Sequence, residues 1–357
     1  MDEFIEGVHV LRTKIRPRKQ GSLNRVLNYY SFVAKGKKRV KKLKADFDAI
    51  LVFQLSPIMM VEPALAFAKK YGIPILCYVI DLWPESLLAG GIRRDSKIYQ
   101  LFRSVSRRIY SSVDALAVSS PAFSDYLTDL LNRKVNATYL PQFAEDIFSE
   151  PFLKEDGIDS RSFPKDCLNV MFAGNVGAAQ SVGTLIEAAS LLKHERIVFH
   201  IVGSGTELDS CKVAVDRLGL HNVVFYGRHP LNEMPAYYAQ ADAMVATFAD
   251  DPILGYTLPR KIQSYMAAGK PVIGTVTGEA RRVLEEAGCG FCCDAENAAA
   301  LADCCRKMAA LSDEERNILG LRAKTYCEKH YSRDRFFETL ESELDTLRGT
   351  RHRGSKR

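Results

Sequence analysis

After about residue 45, short apolar runs alternate with helix-length amphipathic stretches. The runs are AILVFQL (49–55), PILCYVI (74–80), DALAVSS (114–120), LNVMFAG (168–174), IVFHIVG (197–203), NVVFYG (222–227), AMVATF (243–248), PVIGTV (271–276) and GFCC (290–293). Near-continuous apolar segments of this length predict strands buried on both faces. Their alternation with helices predicts βαβ units and parallel sheets. The rhythm breaks in PQFAEDIFSEPFLKEDGIDSRSFPKD (141–166), which is acidic, contains proline and has no period. Such a stretch predicts a linker. The expected organisation is a first Rossmann-like domain over 1–145, a linker over 146–165, a second Rossmann-like domain over 166–330, a C-terminal helix over 331–348 and a basic tail over 349–357. Two doubly wound α/β domains leave a cleft between them, and ligands of such sheets sit at the carboxyl ends of the strands.

Composition narrows the class. The chain has 357 residues, 47% hydrophobic and 26% charged, enough for two α/β domains with full cores. Its start, MDEFIEG, is acidic and unlike a signal peptide, and no apolar run approaches the length of a membrane span. Nine cysteines include no C-x-x-C pair, and the adjacent pairs Cys292–Cys293 and Cys304–Cys305 suit neither one metal ion nor an ordinary disulfide. Reduced thiols in a cytoplasmic protein are the expectation. The net charge of +6 is uneven. Residues 12–44 hold 13 Lys or Arg and no Asp or Glu, which leaves the remainder at −7.

Three segments carry candidate chemistry. GYTLPRKIQSYMAAGKPVIG (255–274) opens as a loop with Arg260 and Lys261, continues as a helix with Ile262, Tyr265 and Met266 on one face, and closes at Gly269. A helix N-terminus with a lysine in its first turn suits a phosphate. Tyr256, Gln263 and Ser264 offer hydrogen bonds to a ribose or a sugar, and a solvated helix start is the plainer alternative. LNVMFAGNVGAAQSVGTLIEAASLL (168–192) runs from a strand into Gly174, Asn175, Val176 and Gly177, where glycines let backbone approach a ligand. IVFHIVGSGTEL (197–208) is close to a dinucleotide fingerprint, but Leu208 stands in place of the third glycine. No Walker loop is present, because Pro271 stands where Ser or Thr is required. His200 within a strand reads as a satisfied core residue. Trp83 reads equally as a sugar-stacking ring or as one buried at the domain interface.

Together DLWPES (81–86), FAGNVG (172–177), VGSG (202–205) and LPRKIQSYMAAGKPV (258–272) resemble family 4 glycosyltransferases of the GT-B fold, over about residues 7–340. The subset they most resemble is related to L-fucosamine transferases of surface-polysaccharide assembly. The resemblance implies two Rossmann-like domains facing a cleft. It implies a hexosyltransferase-type enzyme that moves a sugar from a nucleotide sugar, UDP-linked, to a glycan or polyprenyl-diphosphate-linked acceptor. It further implies retention at the anomeric carbon, no metal and no cofactor. On this resemblance Lys261 faces the donor diphosphate with Arg260 beside it. Gly174, Asn175 and Gly177 approach the donor from below, and Gly203 and Gly205 lie where the nucleotide packs. Gly278 and Glu279 begin a helix facing the sugar, and Asp81 and Glu85 stand on the acceptor side as catalytic candidates. Two departures stand out. Tyr256 and Ser264 occupy the positions of two glutamates in many members, so Gln263 or Ser264 is expected to hold the ribose hydroxyls. Ile80 stands where many members carry a histidine.

The alternatives are a nucleotide-sugar epimerase of the same architecture and a truncated, non-catalytic homologue. The second arises because VHVLR looks like an outer strand of the first sheet. No strand–glycine–helix unit precedes it, as though about 60 residues, two βα units, were missing. The basic block at 12–44 predicts an anionic membrane surface as partner, with a solvated face as the bland alternative. No nucleic-acid reader motif accompanies it. The expected location is cytoplasmic, peripheral on the inner face of the plasma membrane.

Overall fold

The computed structural model describes residues 2–17, 21–44, 46–148 and 163–354. The chain divides into two compact units, Met1–Leu140 with Phe337–Arg357, and Pro141–Phe336. Most of the expected linker, 149–162, and the end of the expected tail, 355–357, lie outside the described residues.

The first unit opens with β1 (Asp2–Ile5) and β2 (Val8–Leu11), an antiparallel pair in which Ile5 faces Val8. Glu6 and Gly7 both have positive φ, 49° and 82°, as a two-residue hairpin turn twisted to match its strands requires. VHVLR, expected as an outer strand of the main sheet, therefore belongs to a separate two-stranded sheet with its own partner. Helix α1 (Ser22–Val40) follows; it buries Asn28 and Val33 and exposes Leu27 and Tyr30. The main sheet of this unit is all parallel, in the order β3 (Ile50–Gln54), β4 (Ile75–Val79), β5 (Ala115–Val118), β6 (Thr138–Tyr139). Helices α2 (Glu62–Tyr71), α3 (Lys97–Tyr110) and α4 (Pro121–Leu131) connect successive strands. Every residue of β4 is buried, as an interior strand demands. Among the described residues β3 pairs on one side only, and Phe53 on it is 45% exposed. Trp83 is buried within this unit, edge-on to Tyr29 and Phe102.

The second unit is a six-stranded parallel sheet. Its strands are β7 (Leu168–Ala173), β8 (Ile197–Val202), β9 (Val223–Gly227), β10 (Ala243–Thr247), β11 (Val272–Thr275) and β12 (Gly290–Cys293), in the spatial order β12-β11-β10-β7-β8-β9. Counted from β7, this is the doubly wound order 3-2-1-4-5-6, and the strand order reverses between β7 and β10. Helices α5 (Val182–Leu191) and α6 (Leu208–Leu218) pack on one face. Helices α7 (Met234–Gln240), α9 (Arg260–Ala267) and α10 (Gly278–Ala287) pack on the other, and the short α8 (Pro252–Gly255) precedes α9. α11 (Ala298–Ala310) joins the first face and α12 (Asp313–His330) the second. α13 (Arg333–Gly354) ends the described chain, extending through residues expected in the tail.

His200 is fully buried on β8, with Nε2 3.0 Å from Asn169 Oδ1 and Nδ1 2.9 Å from the Tyr226 hydroxyl. Burial drives its pKa down to about 3, so it stays neutral. All nine cysteines are free. Among the described residues no helix is long and apolar enough to cross a membrane.

A candidate nucleotide site at the sheet's switch point

Where strand order reverses, the loops after β7 and β10 run in opposite directions and leave a crevice at the carboxyl ends. The second unit has a cavity of about 580 Å³ beside it, within the usual size range for small-molecule sites. Its walls come from the ends of β7 (Ala173, Gly174, Asn175) and β8 (Val202, Gly203, Ser204), from the loop after β9 (Arg228 to Leu231), from Met234 and Tyr238 of α7, and from Arg260, Lys261 and Ser264 of α9. Glu145 and Phe148 close it. A larger hollow of about 820 Å³ in the first unit is lined by Gly72, Ile73, Pro74 and Asp114, at the amino ends of β4 and β5. That is the end of a parallel sheet where ligands do not sit, and its charges Lys37, Glu62 and Arg108 are already tied to one another.

The loops after β7 and β8 are locked by backbone hydrogen bonds. Gly174 N–H donates to Val202 O at 2.9 Å, Val176 N–H to Ser204 O at 3.0 Å, and Glu207 N–H to Val176 O at 2.9 Å. This close approach explains the glycine at 203. Its φ is +151°, and a Cβ there would stand 1.8 Å from the Gly174 carbonyl oxygen. The hydroxyl of Tyr265, fully buried on α9, donates to Ala173 O at 2.8 Å and accepts from Ala173 N–H at 3.0 Å. α9 is thereby fixed against the end of β7.

Lys261 extends from the first turn of α9 to this end of β7. The residue is half-buried, but its Nζ is closed to solvent and has no hydrogen-bond partner. The ammonium lies 3.9 Å from the centroid of the Phe172 ring and 5.5 Å from that of Phe248, a cation–π seat. A Cβ on Gly174 would come within 3.2 Å of it. Burial without a counter-charge drives its pKa down to about 7. A buried cation lacking an acceptor costs free energy, and an anion entering beside Gly174 would supply the acceptor. Pro230, Leu231 and Met234 add apolar lining, next in sequence to Arg228 and His229, which line the cavity too.

The site residues expected from the sequence fall into groups. Gly174, Asn175, Gly203, Arg260, Lys261 and Ser264 line the cavity. Gly177 and Gly205 do not; Gly205 packs against Val176 in the loop–loop lock. Gln263 is 1% exposed, donates its amide N–H to Gln142 O, and is turned away from the cavity. Gly278 lets α10 start against Gly255, whose oxygen an added Cβ would approach to 2.1 Å. Glu279 is 6% exposed and held through both oxygens by Arg282 at 2.6 and 2.8 Å. Asp81 and Glu85 belong to the first unit. Asp81 Oδ2 accepts from Ser56 N–H at 3.1 Å. Glu85 is 3% exposed, with its oxygens on the Tyr99 hydroxyl at 2.5 Å and Arg94 at 2.9 Å, an arrangement that secures its own loop.

Sequence reasoning missed Glu145, the Arg228–Leu231 loop, Met234 and Tyr238. The loop was within reach, because it directly follows a recognised strand at its carboxyl end. Glu145 gave no such signal, since it lies in the aperiodic stretch read as the edge of a linker.

Two α/β units and this cavity belong with the GT-B fold, and solved structures agree. Sucrose-phosphate synthase from Thermosynechococcus elongatus superposes with a TM-score of 0.79 at 17% identity, over 98% of this chain and 85% of that one. The Anabaena Alr3699/HepE structure in complex with UDP and glucose superposes with a TM-score of 0.69 at 15% identity, over 93% and 84%. Residues 168–310 match the family model described as "Glycosyl transferases group 1". With that match, the protein is a glycosyltransferase of GT-B fold. It is 27% identical over 280 residues to the probable glycosyltransferase WbjE of Pseudomonas aeruginosa, across 77% of this chain and 68% of that protein. It is 22% identical over 304 residues to the putative colanic acid biosynthesis glycosyl transferase WcaI of Escherichia coli (strain K12), across 80% and 72%.

Proposed function

We propose that the protein transfers a sugar from a UDP-linked donor to a glycan or lipid-linked glycan acceptor in surface-polysaccharide synthesis, as a relative of the L-fucosamine transferases. The observation that carries the donor half is Lys261, a solvent-closed ammonium without an acceptor at the wall of a cavity of nucleotide size. As the glycosidic bond breaks, negative charge grows on the leaving diphosphate. Lys261, Arg260 and the first-turn N–H groups of α9 meet that charge where it develops. The chemistry is retaining and needs no metal on this reading, as the sequence resemblance implies. HepE, a structural neighbour, was solved with UDP and with UDP-glucose, and WcaI is described in colanic acid biosynthesis; both support the reading. Titration calorimetry with UDP, GDP, ADP and CMP is expected to show one site that prefers UDP by at least about tenfold, some 1.4 kcal/mol. Binding of none of the four would overturn it.

The acceptor half concerns the basic block. α1 carries Lys35, Lys37, Lys38 and Arg39 toward its end, with Lys37 paired to Glu62 and Arg39 to Asp2, and exposes Leu27 and Tyr30. This surface docks on the anionic inner face of the plasma membrane, with each Lys or Arg contributing about 1 kcal/mol near such a surface. Co-sedimentation with phosphatidylglycerol vesicles is expected and should fade as salt rises, because screening shortens to about 3 Å at 1 M. Equal binding to neutral vesicles would sink the assignment.

A further inference from the structure

The cavity lining holds an ammonium, a group of apolar side chains and one carboxylate, Glu145. Glu145 Oε2 accepts from the Ser264 hydroxyl at 2.8 Å, and Oε1 accepts from Arg260 Nη2 at 2.7 Å. Both partners lie on the first turns of α9, on either side of Lys261 in sequence, and all four residues line the cavity. Glu145 is therefore fixed twice. An ionised carboxylate has about four acceptor positions, and the two protein donors leave positions over.

We propose that Glu145 holds the vicinal hydroxyls of the donor's ribose. The inference rests on the nucleotide-sugar reading and extends it to a residue that the sequence had placed at the very end of the first domain. Next to the diphosphate in such a donor comes a sugar with two adjacent O–H groups, and after it a flat, largely apolar base. The cavity lining offers a match for each part: Lys261 for the diphosphate, an acceptor-only group with two oxygens for the hydroxyl pair, and Pro230, Leu231 and Met234 for the base. A carboxylate can take one hydroxyl on each oxygen, and such charge-assisted bonds are stronger than neutral ones. Position 264 holds a serine too short to supply this group itself. Its hydroxyl instead positions the carboxylate delivered from residue 145. Gln263, the other residue expected at the ribose, donates to Gln142 O and leaves the role open.

The test compares UDP with 2′,3′-dideoxy-UDP by calorimetry on the full chain, for the unaltered protein, Glu145→Gln and Glu145→Asp. The unaltered protein is expected to bind UDP at least about tenfold tighter than the dideoxy nucleotide, the size expected for losing charge-assisted hydrogen bonds. In Glu145→Gln the preference should collapse to about twofold, through weaker UDP binding with dideoxy-UDP affinity nearly unchanged. Glu145→Asp, which keeps the charge, should retain part of the preference. The first comparison needs no variant, so misfolding of a variant leaves the proposal exposed to refutation. Equal affinity of the unaltered protein for both nucleotides overturns the role of Glu145 while the nucleotide reading stands. So does a preference that survives intact in a folded Glu145→Gln. Binding of neither nucleotide overturns both.

Discussion

Replacing Lys261 with methionine is expected to raise the melting temperature of the unliganded protein and at the same time to weaken UDP binding. Methionine follows much of the lysine's path and puts a polarisable, uncharged end over Phe172. It removes a buried nitrogen without a partner, a group that costs about 1–3 kcal/mol in proteins. A gain of that size raises the melting temperature by about 2–4 °C per kcal/mol for a unit of 150–250 residues. The same change removes the charge that meets the diphosphate, and loss of UDP affinity by at least about tenfold should follow. The sign of the pH dependence is fixed. The lysine pKa falls from the ordinary 10.5 to about 7 on folding. Between those values the unfolded chain binds more protons, so this group makes stability rise with pH over that window and contributes no slope below it. In Lys261→Met that slope disappears. UDP binding must restore the ammonium, so above pH 7 it takes up a proton, visible as calorimetric heats that depend on the buffer's ionisation enthalpy. A Lys261→Met protein that binds UDP within twofold of the original would refute the placement of the diphosphate.

Gly203→Ala is expected to lose nucleotide binding by at least about a hundredfold and to destabilise the second unit by at least about 3 kcal/mol. The added Cβ would meet the Gly174 oxygen at 1.8 Å, and the φ of +151° is one that a residue with a side chain rarely adopts. Neither loop can retreat without breaking the hydrogen bonds that join them. Gly183→Ala is the control. It lies in the first turn of α5, nothing stands within 4 Å of its added Cβ, and alanine there should leave stability equal or higher by about 0.4–1 kcal/mol. Denaturant melts of both variants, followed by UDP titration, separate the outcomes. A Gly203→Ala protein as stable as Gly183→Ala would show that the two loops do not approach as described.

The main strands were legible because a strand buried on both faces must be apolar throughout, and each of the nine runs corresponds to one. β6 escaped because two paired residues, Thr138 and Tyr139, carry no period. The hairpin misled because alternation in VHVLR identifies a strand without naming its neighbour. Within the site, Lys261 and the glycines were readable from a strand–turn–helix context. Glu145 was not, since its place in the cavity depends on pairing with Ser264 and Arg260, 119 and 115 residues away. Gln263 and Glu279 show the converse. Residue type and position mark each as a ligand group; in the structure the Gln263 amide N–H donates to Gln142 O, and both Glu279 oxygens accept from Arg282.

The distribution of the thiols gives the molecule a built-in clock. Seven of the nine cysteines are buried, and Cys167 and Cys292 are the partly exposed ones. Cys77, in the middle of β4, is the one thiol of the first unit, and the other eight belong to the second. An alkylating reagent therefore samples the two units on separate channels. The slow modification of Cys77 times the opening of one sheet, and the staggered reaction of the other thiols times the opening of its companion, both resolved by mass in a single experiment without any engineered label.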